Sequence, residues 1–510
     1  MTHRTVWLSL LLIILIGLGL RSYQLTTRSL WFDEAFSWRL IQFPVPEMIA
    51  RDAADVHPPL YYLLLKGWSV IFATSLLSLR SFSVLMAGLT ILGAYLFTSV
   101  ALRSRAAGLL AALLLALSGW QIQFAWEARM YTLGTAFILL SSWFLLRAMR
   151  HHRWFDWLGY ALTATGLLYI HYYALFSIAA QFLFIVGYIV ITTRGRIGEI
   201  LQWSLFWSAA VSYLLIMLLF LPWLPTFIAQ NSQVQASYWI PAIGGWSIPD
   251  TFYRMFAPTS AIPPHTGLVW IILALLPIAA TIIGLILLIL PPLFPNHVYA
   301  RDSAWLIFSS IVTPFVGSII LSFLGQSLYQ DRFFVFAHIF IICGLAVLLM
   351  RIPFRRTRLL LIVLVVAGFL TADIAYWREL DIPHHLGARA ALAAAAGQFK
   401  PSDRIIASSP FIYFAALHYA QEEHQLPSPK LYSETNQLSH FAGGPILVNE
   451  DIVGPAVFNQ PGNLWVVDTT GFGASPLTVP SNWRLISTQS FPEVFAHQGD
   501  VIVSYYQAPQ

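Results

Sequence analysis

Apolar runs recur along the first 375 positions and dominate the pattern of the chain. A membrane-spanning helix needs about 20 mostly apolar residues, and eleven runs approach or reach that length. They cover residues 6–20, 80–100, 106–118, 130–146, 157–170, 173–192, 202–221, 266–290, 304–324, 333–350 and 358–375. The pattern predicts a polytopic α-helical membrane protein with about 11 transmembrane helices.

The apolar segment from Pro58 to Ala73 decides the orientation of every later span. If it lies on the membrane surface, the Arg-rich short loops fall on the side of the N-terminus, as the positive-inside rule requires. If it spans, that bias is reversed. We therefore predict a first outer loop at 21–79 with interfacial helices, a cytoplasmic N-terminus and an extracytoplasmic C-terminus. The headgroup-level residues of the surface helix would be Tyr61, Tyr62, Lys66 and Trp68.

The composition changes near residue 376. The last 135 residues hold about half of the acidic residues and no run long enough to span. A helix is predicted at 390–399 and another at 411–422, with strands at 403–408, 445–448, 464–468 and 500–504. The chain therefore divides into a membrane domain at 1–375 and an extracytoplasmic α/β domain at 376–510.

Composition excludes several classes of protein. The chain is 58% hydrophobic and only 10% charged, against about 25% charged residues in soluble domains. Its net charge of +5 comes largely from the loop clusters of the membrane domain, so no nucleic-acid partner is expected. The single cysteine, Cys343, excludes a disulfide framework. The first run, 6–20, is interpreted as a retained span, because no small-residue cleavage site follows it.

Acidic residues of the membrane domain concentrate on one predicted side. Eight of its twelve lie in the outer loops, five of them in the first loop. An ion-coupled transporter would place ionisable residues inside its spans instead. The distribution favours chemistry at the outer surface.

Asp33 and Glu34 form an adjacent pair about ten residues after the first span. Two carboxylates near the lipid surface could supply a general base and a cation ligand. Adjacent helical residues point about 100° apart, so the pair need not share one task. A favourable charge at a helix N-terminus is the alternative.

His57 precedes Pro58 and Pro59, which suit the first turn of the surface helix. An imidazole near a helix N-terminus could contact a lipid phosphate; an incidental turn residue is the alternative.

Further candidates lie in the later outer loops. Glu127 and Tyr131 share a helix face, with Arg129 turned away, and a local Glu–Arg pair is the alternative. Arg332 is the sole Arg or Lys of its loop and offers a bidentate fork for phosphate; an interfacial anchor is the alternative. The outer end of another span pair carries His171 and Tyr172.

Taken in order, these motifs resemble the GT-C glycosyltransferases. The set is Asp33-Glu34, His57-Pro-Pro-Leu-Tyr61-Tyr, Glu127-Ala-Arg129-Met-Tyr131, His171-Tyr172-Tyr and Arg332-Phe-Phe. The branch resembled is that of the protein O-mannosyltransferases and lipid A aminoarabinose transferases, over roughly residues 6–350.

The resemblance implies a polyprenyl-phosphate-linked sugar donor and a lipid, glycan or protein acceptor. Asp33 would activate the acceptor, with Glu34 assisting and Glu127 as a further catalytic carboxylate. The donor phosphate would meet His57, Arg129 and Arg332; relatives often carry Lys in place of His57. Tyr61, Tyr131, His171 and Tyr172 would line the substrate pocket.

A divalent metal is left open by the resemblance, with Asp33 and Glu34 as its ligands, and no nucleotide cofactor is expected because no phosphate-cradling Gly-rich loop occurs. The expected reaction is inverting single displacement at the extracytoplasmic face of a prokaryotic plasma membrane. Two alternatives stay open: a flippase for lipid-linked glycans, and a non-catalytic sugar-binding scaffold.

Overall fold

The computed structural model describes residues 2–236, 238–259, 266–290, 301–434, 438 and 440–509. Twenty α-helices lie in these ranges. They are α1 His3–Ser22, α2 Phe32–Leu40, α3 Val45–Ala53, α4 Leu60–Phe72, α5 Leu76–Leu102, α6 Arg105–Ala116, α7 Gly119–Ala125, α8 Tyr131–His151, α9 Trp154–Leu168, α10 Ala174–Thr193, α11 Ile197–Gln202, α12 Ser204–Phe220, α13 Leu224–Ala236, α14 Ser247–Phe256, α15 Leu268–Ile289, α16 Arg301–Leu324, α17 Val335–Arg351, α18 Arg355–Leu380, α19 Gly387–Ala396 and α20 Pro410–His418.

The long apolar helices confirm a multi-pass membrane protein. Within the described ranges, nine helices are long and apolar enough to cross a membrane, and α6 with α7 would make ten if they count as one span bent by 63°. The predicted run 157–170 forms α9, which has 15 residues and is shorter than a straight crossing needs. The predicted count of eleven spans is therefore not confirmed.

The predicted surface helix is α4, and its 13 residues are too few to cross a membrane. Val70 and Ile71 in its last turn are 80% and 74% exposed, an apolar surface suited to lipid. Lys66 donates from Nζ to the carbonyls of Ile41 and Phe43 at 2.7 and 2.8 Å. The helix is thereby tied to the end of α2.

The C-terminal region forms the predicted α/β domain. Its strands are β1 Arg404–Ala407, β2 Lys430–Tyr432, β3 Ile452–Val453, β4 Leu464–Thr469, β5 Arg484–Pro492 and β6 Asp500–Gln507. The sheet order is β3-β2-β1-β4-β6-β5, with β3, β2, β1 and β4 parallel and the β6 and β5 pairings antiparallel. Three strands were not predicted: β2 and β3, which are only three and two residues long, and β5, an edge strand.

One predicted strand, 445–448, is wrong: the chain makes a 3-10 turn at Gly444–Ile446. Proline cannot donate to a β-ladder, and the carbonyls of Pro445 and Leu447 accept from Nη1 of Arg51 at 2.8 and 3.2 Å. The segment therefore satisfies its polar groups with the first loop instead of with the sheet.

The first loop and the C-terminal domain share one apolar core. Phe32 in α2 packs against Phe411 in α20 with ring centroids 4.7 Å apart. The fully buried Trp38 lies 4.9 Å from the ring of His418. The domain is therefore packed directly onto α2, the helix that carries the predicted catalytic pair.

Arg80 and Glu34 form a bidentate ion pair with both side chains fully buried. Nε and Nη2 of Arg80 donate to the two carboxylate oxygens at 2.8 and 2.6 Å. Arg80 also donates to the carbonyls of Leu25, Arg28 and Ser29 at 2.7 to 2.9 Å. One guanidinium from α5 thus fixes the chain that leads into α2.

Removal of this guanidinium should destabilise the protein strongly. Arg80→Met leaves Glu34 buried without its main counter-charge, and breaking such pairs costs about 3–5 kcal/mol. Thermal unfolding in detergent measures the loss. The control is Arg196→Met in the exposed Arg196–Glu199 pair, where the cost should stay below about 1 kcal/mol. Equal unfolding temperatures of Arg80→Met and Arg196→Met would contradict the role assigned to Arg80.

Candidate active site

Distant segments bring five ionisable side chains together beside α2. Asp33 lies in the first turn of α2, and His57 precedes α4. Glu127 and Arg129 occupy the short turn between α7 and α8, and Arg332 lies in the 3-10 turn that leads into α17. Because each segment ends or begins a helix, the cluster forms at one end of the bundle.

Asp33 and Arg332 are paired at the accessible part of this cluster. Nη1 of Arg332 donates to Oδ2 of Asp33 at 3.0 Å, and the side chains are 20% and 21% exposed. Burial alone would raise the pKa of Asp33. The positive charges of Arg129 and Arg332 outweigh burial and hold the pKa of Asp33 below its usual value. The carboxylate is therefore ionised at neutral pH.

Aromatic rings flank the guanidinium of Arg332. Its Cζ lies 5.2 Å from the ring centre of Trp239 and 5.9 Å from that of Trp31. Its backbone N–H donates to Oδ1 of Asp331 at 2.7 Å. Within the described part of the chain, Nε of Arg332 has no hydrogen-bond partner. This cation is oriented and still has donor capacity for an anion.

Arg129 is only 3% exposed, and unlike Arg332 it contacts mainly the interior of the protein. Its Nη1 donates to the backbone carbonyl of Asp33 at 3.2 Å and to the hydroxyl of Tyr62 at 3.1 Å. Its Nη2 lies 3.0 Å from Nε2 of His57. Arg129 thus links the turn before α8 to α2, α4 and the loop that carries His57.

Both ring nitrogens of His57 have partners. Nδ1 lies 2.8 Å from Oδ2 of Asp55, and Nε2 faces Arg129. The backbone carbonyl of His57 accepts from Gln230 at 3.2 Å. The residue is placed at the cluster, as predicted, but a phosphate would have to displace one of these contacts to bind its ring.

Glu34 lies beneath the cluster and away from its open part. Besides Arg80, its Oε1 accepts from the backbone N–H of Ala128 at 2.9 Å. Both oxygens are thus hydrogen-bonded, and a metal ion would have to displace Arg80 or the Ala128 N–H to bind Glu34. Across the described ranges, no group of three or more His, Cys, Asp and Glu side chains could hold a metal ion. The geometry favours a structural role for Glu34.

Glu127 is 6% exposed. Burial raises the pKa of its carboxyl to about 7, and the negative charge of Glu34 adds to the rise while Arg28 opposes it. A carboxyl with such a pKa exchanges a proton near neutral pH, as general acids and bases do. Glu127 and Asp33 therefore differ in proton affinity within one cluster.

Two of the predicted pocket residues, Tyr131 and His171, pack together with ring centroids 6.2 Å apart. Nδ1 of His171 accepts from the backbone N–H of Tyr173 at 3.1 Å. Burial lowers the pKa of His171 well below its usual value, and the cations of the cluster lower it further. The imidazole is neutral, so it cannot add charge for phosphate binding.

The other two predicted pocket residues lie behind the cluster. Tyr61 is fully buried and packs edge-on against Tyr62 at 5.4 Å. Tyr172 accepts from Nε1 of Trp223 at 2.7 Å and donates to Gln230. Because Gln230 in turn binds the loop that carries His57, Tyr172 supports the site from outside.

Sequence reasoning missed several contributors. Arg80, at the very start of the apolar run 80–100, carried a usable signal, since a charge at a span end needs a partner. Asp55 lies two residues before His57. No sequence signal pointed to His497, whose ring lies 6.4 Å from Trp31 in an edge-on contact and brings the C-terminal domain to the site.

Comparisons with known proteins agree with this architecture. A family model described as dolichyl-phosphate-mannose-protein mannosyltransferase matches residues 56–225. No curated protein matches the chain by sequence. ArnT from Cupriavidus metallidurans in the apo state is similar over 99% of this chain and 98% of its own, with a TM-score of 0.57 and 13% identity.

Two further solved structures are similar. ArnT from Cupriavidus metallidurans bound to undecaprenyl phosphate matches 97% of each chain, with a TM-score of 0.55 and 13% identity. The apo oligosaccharyltransferase of Archaeoglobus fulgidus covers 92% of this chain and 70% of its own, with a TM-score of 0.50 and 14% identity. The resemblance predicted from the motifs is confirmed: this chain has the fold of the GT-C glycosyltransferases, of the ArnT and protein mannosyltransferase type.

Proposed function

We propose that this protein transfers a sugar from a polyprenyl-phosphate-linked donor to a hydroxyl group of an acceptor at the extracytoplasmic face. The observation that carries the proposal is the pair of Asp33 and Arg332, an anion and a cation 3.0 Å apart and each about one-fifth exposed. A base and a phosphate-binding group side by side are what displacement at a sugar phosphate requires. The similar ArnT structure bound to undecaprenyl phosphate supports the class of donor.

Arg332 is proposed to bind the donor phosphate. Departure of a polyprenyl phosphate leaves negative charge on its oxygens, and a nearby guanidinium stabilises that charge. The flanking rings of Trp31 and Trp239 keep the guanidinium in place. Arg129 adds positive potential from beneath, although its own donors are largely occupied.

Asp33 is proposed to act as the general base. Its carboxylate takes the proton of the acceptor hydroxyl, the acceptor oxygen bonds to the anomeric carbon, and the bond from that carbon to the phosphate oxygen breaks. The phosphate leaves with the electron pair. A single displacement of this kind inverts the anomeric configuration.

Donor binding would also make Asp33 a stronger base. In the described state Arg332 holds the pKa of Asp33 low, which makes the carboxylate a weak proton acceptor. A donor phosphate competes for the same guanidinium and weakens this pairing. The proton affinity of Asp33 then rises when the donor is in place, so activation depends on substrate binding.

Asp33→Asn should lower sugar transfer by about 100- to 10,000-fold, the usual contribution of a general base. Transfer of radiolabelled sugar from polyprenyl-phosphate donors by the purified protein measures it. Glu199→Gln is the matched control, since Glu199 is half-exposed and lies beyond the far end of α10. Full activity of Asp33→Asn would refute the assignment. Movement of lipid-linked glycan between leaflets without turnover would favour the flippase.

If Asp33 and the donor phosphate compete for Arg332, substitutions of Asp33 and of Arg332 should change phosphate binding in opposite directions. Asp33→Asn should bind undecaprenyl phosphate about two- to fivefold more tightly, because a partly exposed ion pair worth about 0.5–1 kcal/mol no longer competes. Arg332→Gln should bind it at least about tenfold more weakly. Calorimetry in detergent measures both affinities. Weaker binding by Asp33→Asn would argue against the competition.

The raised pKa of Glu127 predicts that the free energy of unfolding depends on pH. Its pKa is about 7 in the folded protein and about 4.3 when unfolded, so the folded protein loses stability as pH rises between these values. Glu127→Gln removes the ionisation. Relative to wild type it should gain little near pH 4 and roughly 3.5 kcal/mol above pH 8. Thermal unfolding across pH tests this, and a gain independent of pH would contradict it.

A further inference from the structure

A continuous hydrogen-bonded chain runs from Asp55 to the backbone of Asp33. Oδ2 of Asp55 lies 2.8 Å from Nδ1 of His57, and Nε2 of His57 lies 3.0 Å from Nη2 of Arg129. Nη1 of Arg129 then donates to the carbonyl of Asp33 at 3.2 Å. The chain crosses from the loop before α4, through the turn before α8, to the first turn of α2.

The donors and acceptors of this chain allow one tautomer of His57. A guanidinium only donates, so Nε2 facing Arg129 must carry the lone pair. Nδ1 therefore carries the proton and donates it to Asp55. A protonated imidazole, or the tautomer with hydrogen on Nε2, would place two donors against each other.

Two carboxyl groups, Asp52 and Asp55, lie in the segment before His57, and only Asp55 contacts its ring. The side chain of Asp52 is 1% exposed, and in the described part of the chain neither of its carboxylate oxygens has a hydrogen-bond partner. Burial raises the pKa of Asp52 well above its usual value, and the charge of Asp55 raises it further. Asp52 is therefore neutral, and Asp55 is the carboxylate that orients His57.

We propose that Asp55 and His57 are positioning residues, which hold Arg129 so that Arg129 fixes the backbone of Asp33. The inference rests on the proposed function and deepens it. His57 stands where the sequence predicts a phosphate ligand, yet its geometry is that of an acceptor for Arg129. The cation proposed to meet the phosphate is Arg332, whose side chain is 20% exposed, whereas Arg129 is only 3% exposed.

Substitutions at His57 separate positioning from direct phosphate binding. Gln can accept from Arg129 through its side-chain carbonyl but carries no charge. Lys supplies a cation for phosphate but places a donor against Arg129. As a positioning residue, His57→Gln should lose only about two- to fivefold in kcat. His57→Lys and His57→Leu should lose about 10- to 100-fold, the scale of a misplacement near 1 Å.

The Michaelis constant for the donor is the second readout. Positioning predicts that it changes less than about twofold in all three variants, because Arg332 still binds the phosphate. Thermal unfolding of each variant tests whether loss of fold is the cause. Because His57→Gln should keep most of the activity, it separates loss of the hydrogen-bond acceptor from a general effect of substitution. The proposal would be overturned if His57→Lys were more active than His57→Gln. It would also be overturned if the Michaelis constant for the donor rose in His57→Gln and His57→Leu but not in His57→Lys.

The tautomer can be tested without turnover. In protein labelled with 15N-histidine at about pH 8, the resonances missing from His57→Gln identify His57. We expect a protonated Nδ1 and an unprotonated Nε2; the reverse pattern would overturn the chain. If wild type turns over no polyprenyl-phosphate donor, the proposed function fails while this spectrum still decides the inference. If wild type is active and the spectrum is reversed, the inference fails alone.

Discussion

A fully buried guanidinium and carboxylate, Arg80 and Glu34, hold the first loop against the helix bundle. Burial of two charges is costly unless their remaining hydrogen-bonding groups are also satisfied. Here Arg80 reaches three backbone carbonyls, and Glu34 accepts from the backbone of Ala128. Since Asp33 directly precedes Glu34 on α2, this anchored pair also fixes the position of the Asp33 carboxylate.

Neighbouring carboxylates have separate tasks because a helix turns them apart. Asp33 faces Arg332 and the open part of the site, whereas Glu34 faces the interior. Glu127, the third carboxyl group, is buried and exchanges its proton near neutral pH. The three acids of this cluster thus differ in proton affinity, accessibility and partner. Environment, more than residue type, distinguishes a base from a structural anchor.

The sequence predicted the features that depend on composition and order. Apolar runs, the later α/β domain and the outer-loop charges follow from local patterns, and Asp33, His57, Arg129 and Arg332 do meet. Local pattern could not reveal which charges pair, because Glu34 meets Arg80 only through tertiary packing. The turn at Gly444–Ile446 also depends on a distant neighbour, since Arg51 takes carbonyls that a strand would have used.

The shared core of the first loop and the last domain has a consequence for biosynthesis. The backbone N–H of Leu30 donates to the hydroxyl of Tyr419, 389 positions later. At about 5–20 residues per second, the ribosome needs roughly 20 to 80 s to supply that partner. During this interval Phe32 and Trp38 of α2 lack Phe411 and His418, the residues that pack against them. A nascent chain interrupted before its final hundred residues would carry most of the membrane helices and still lack a finished site.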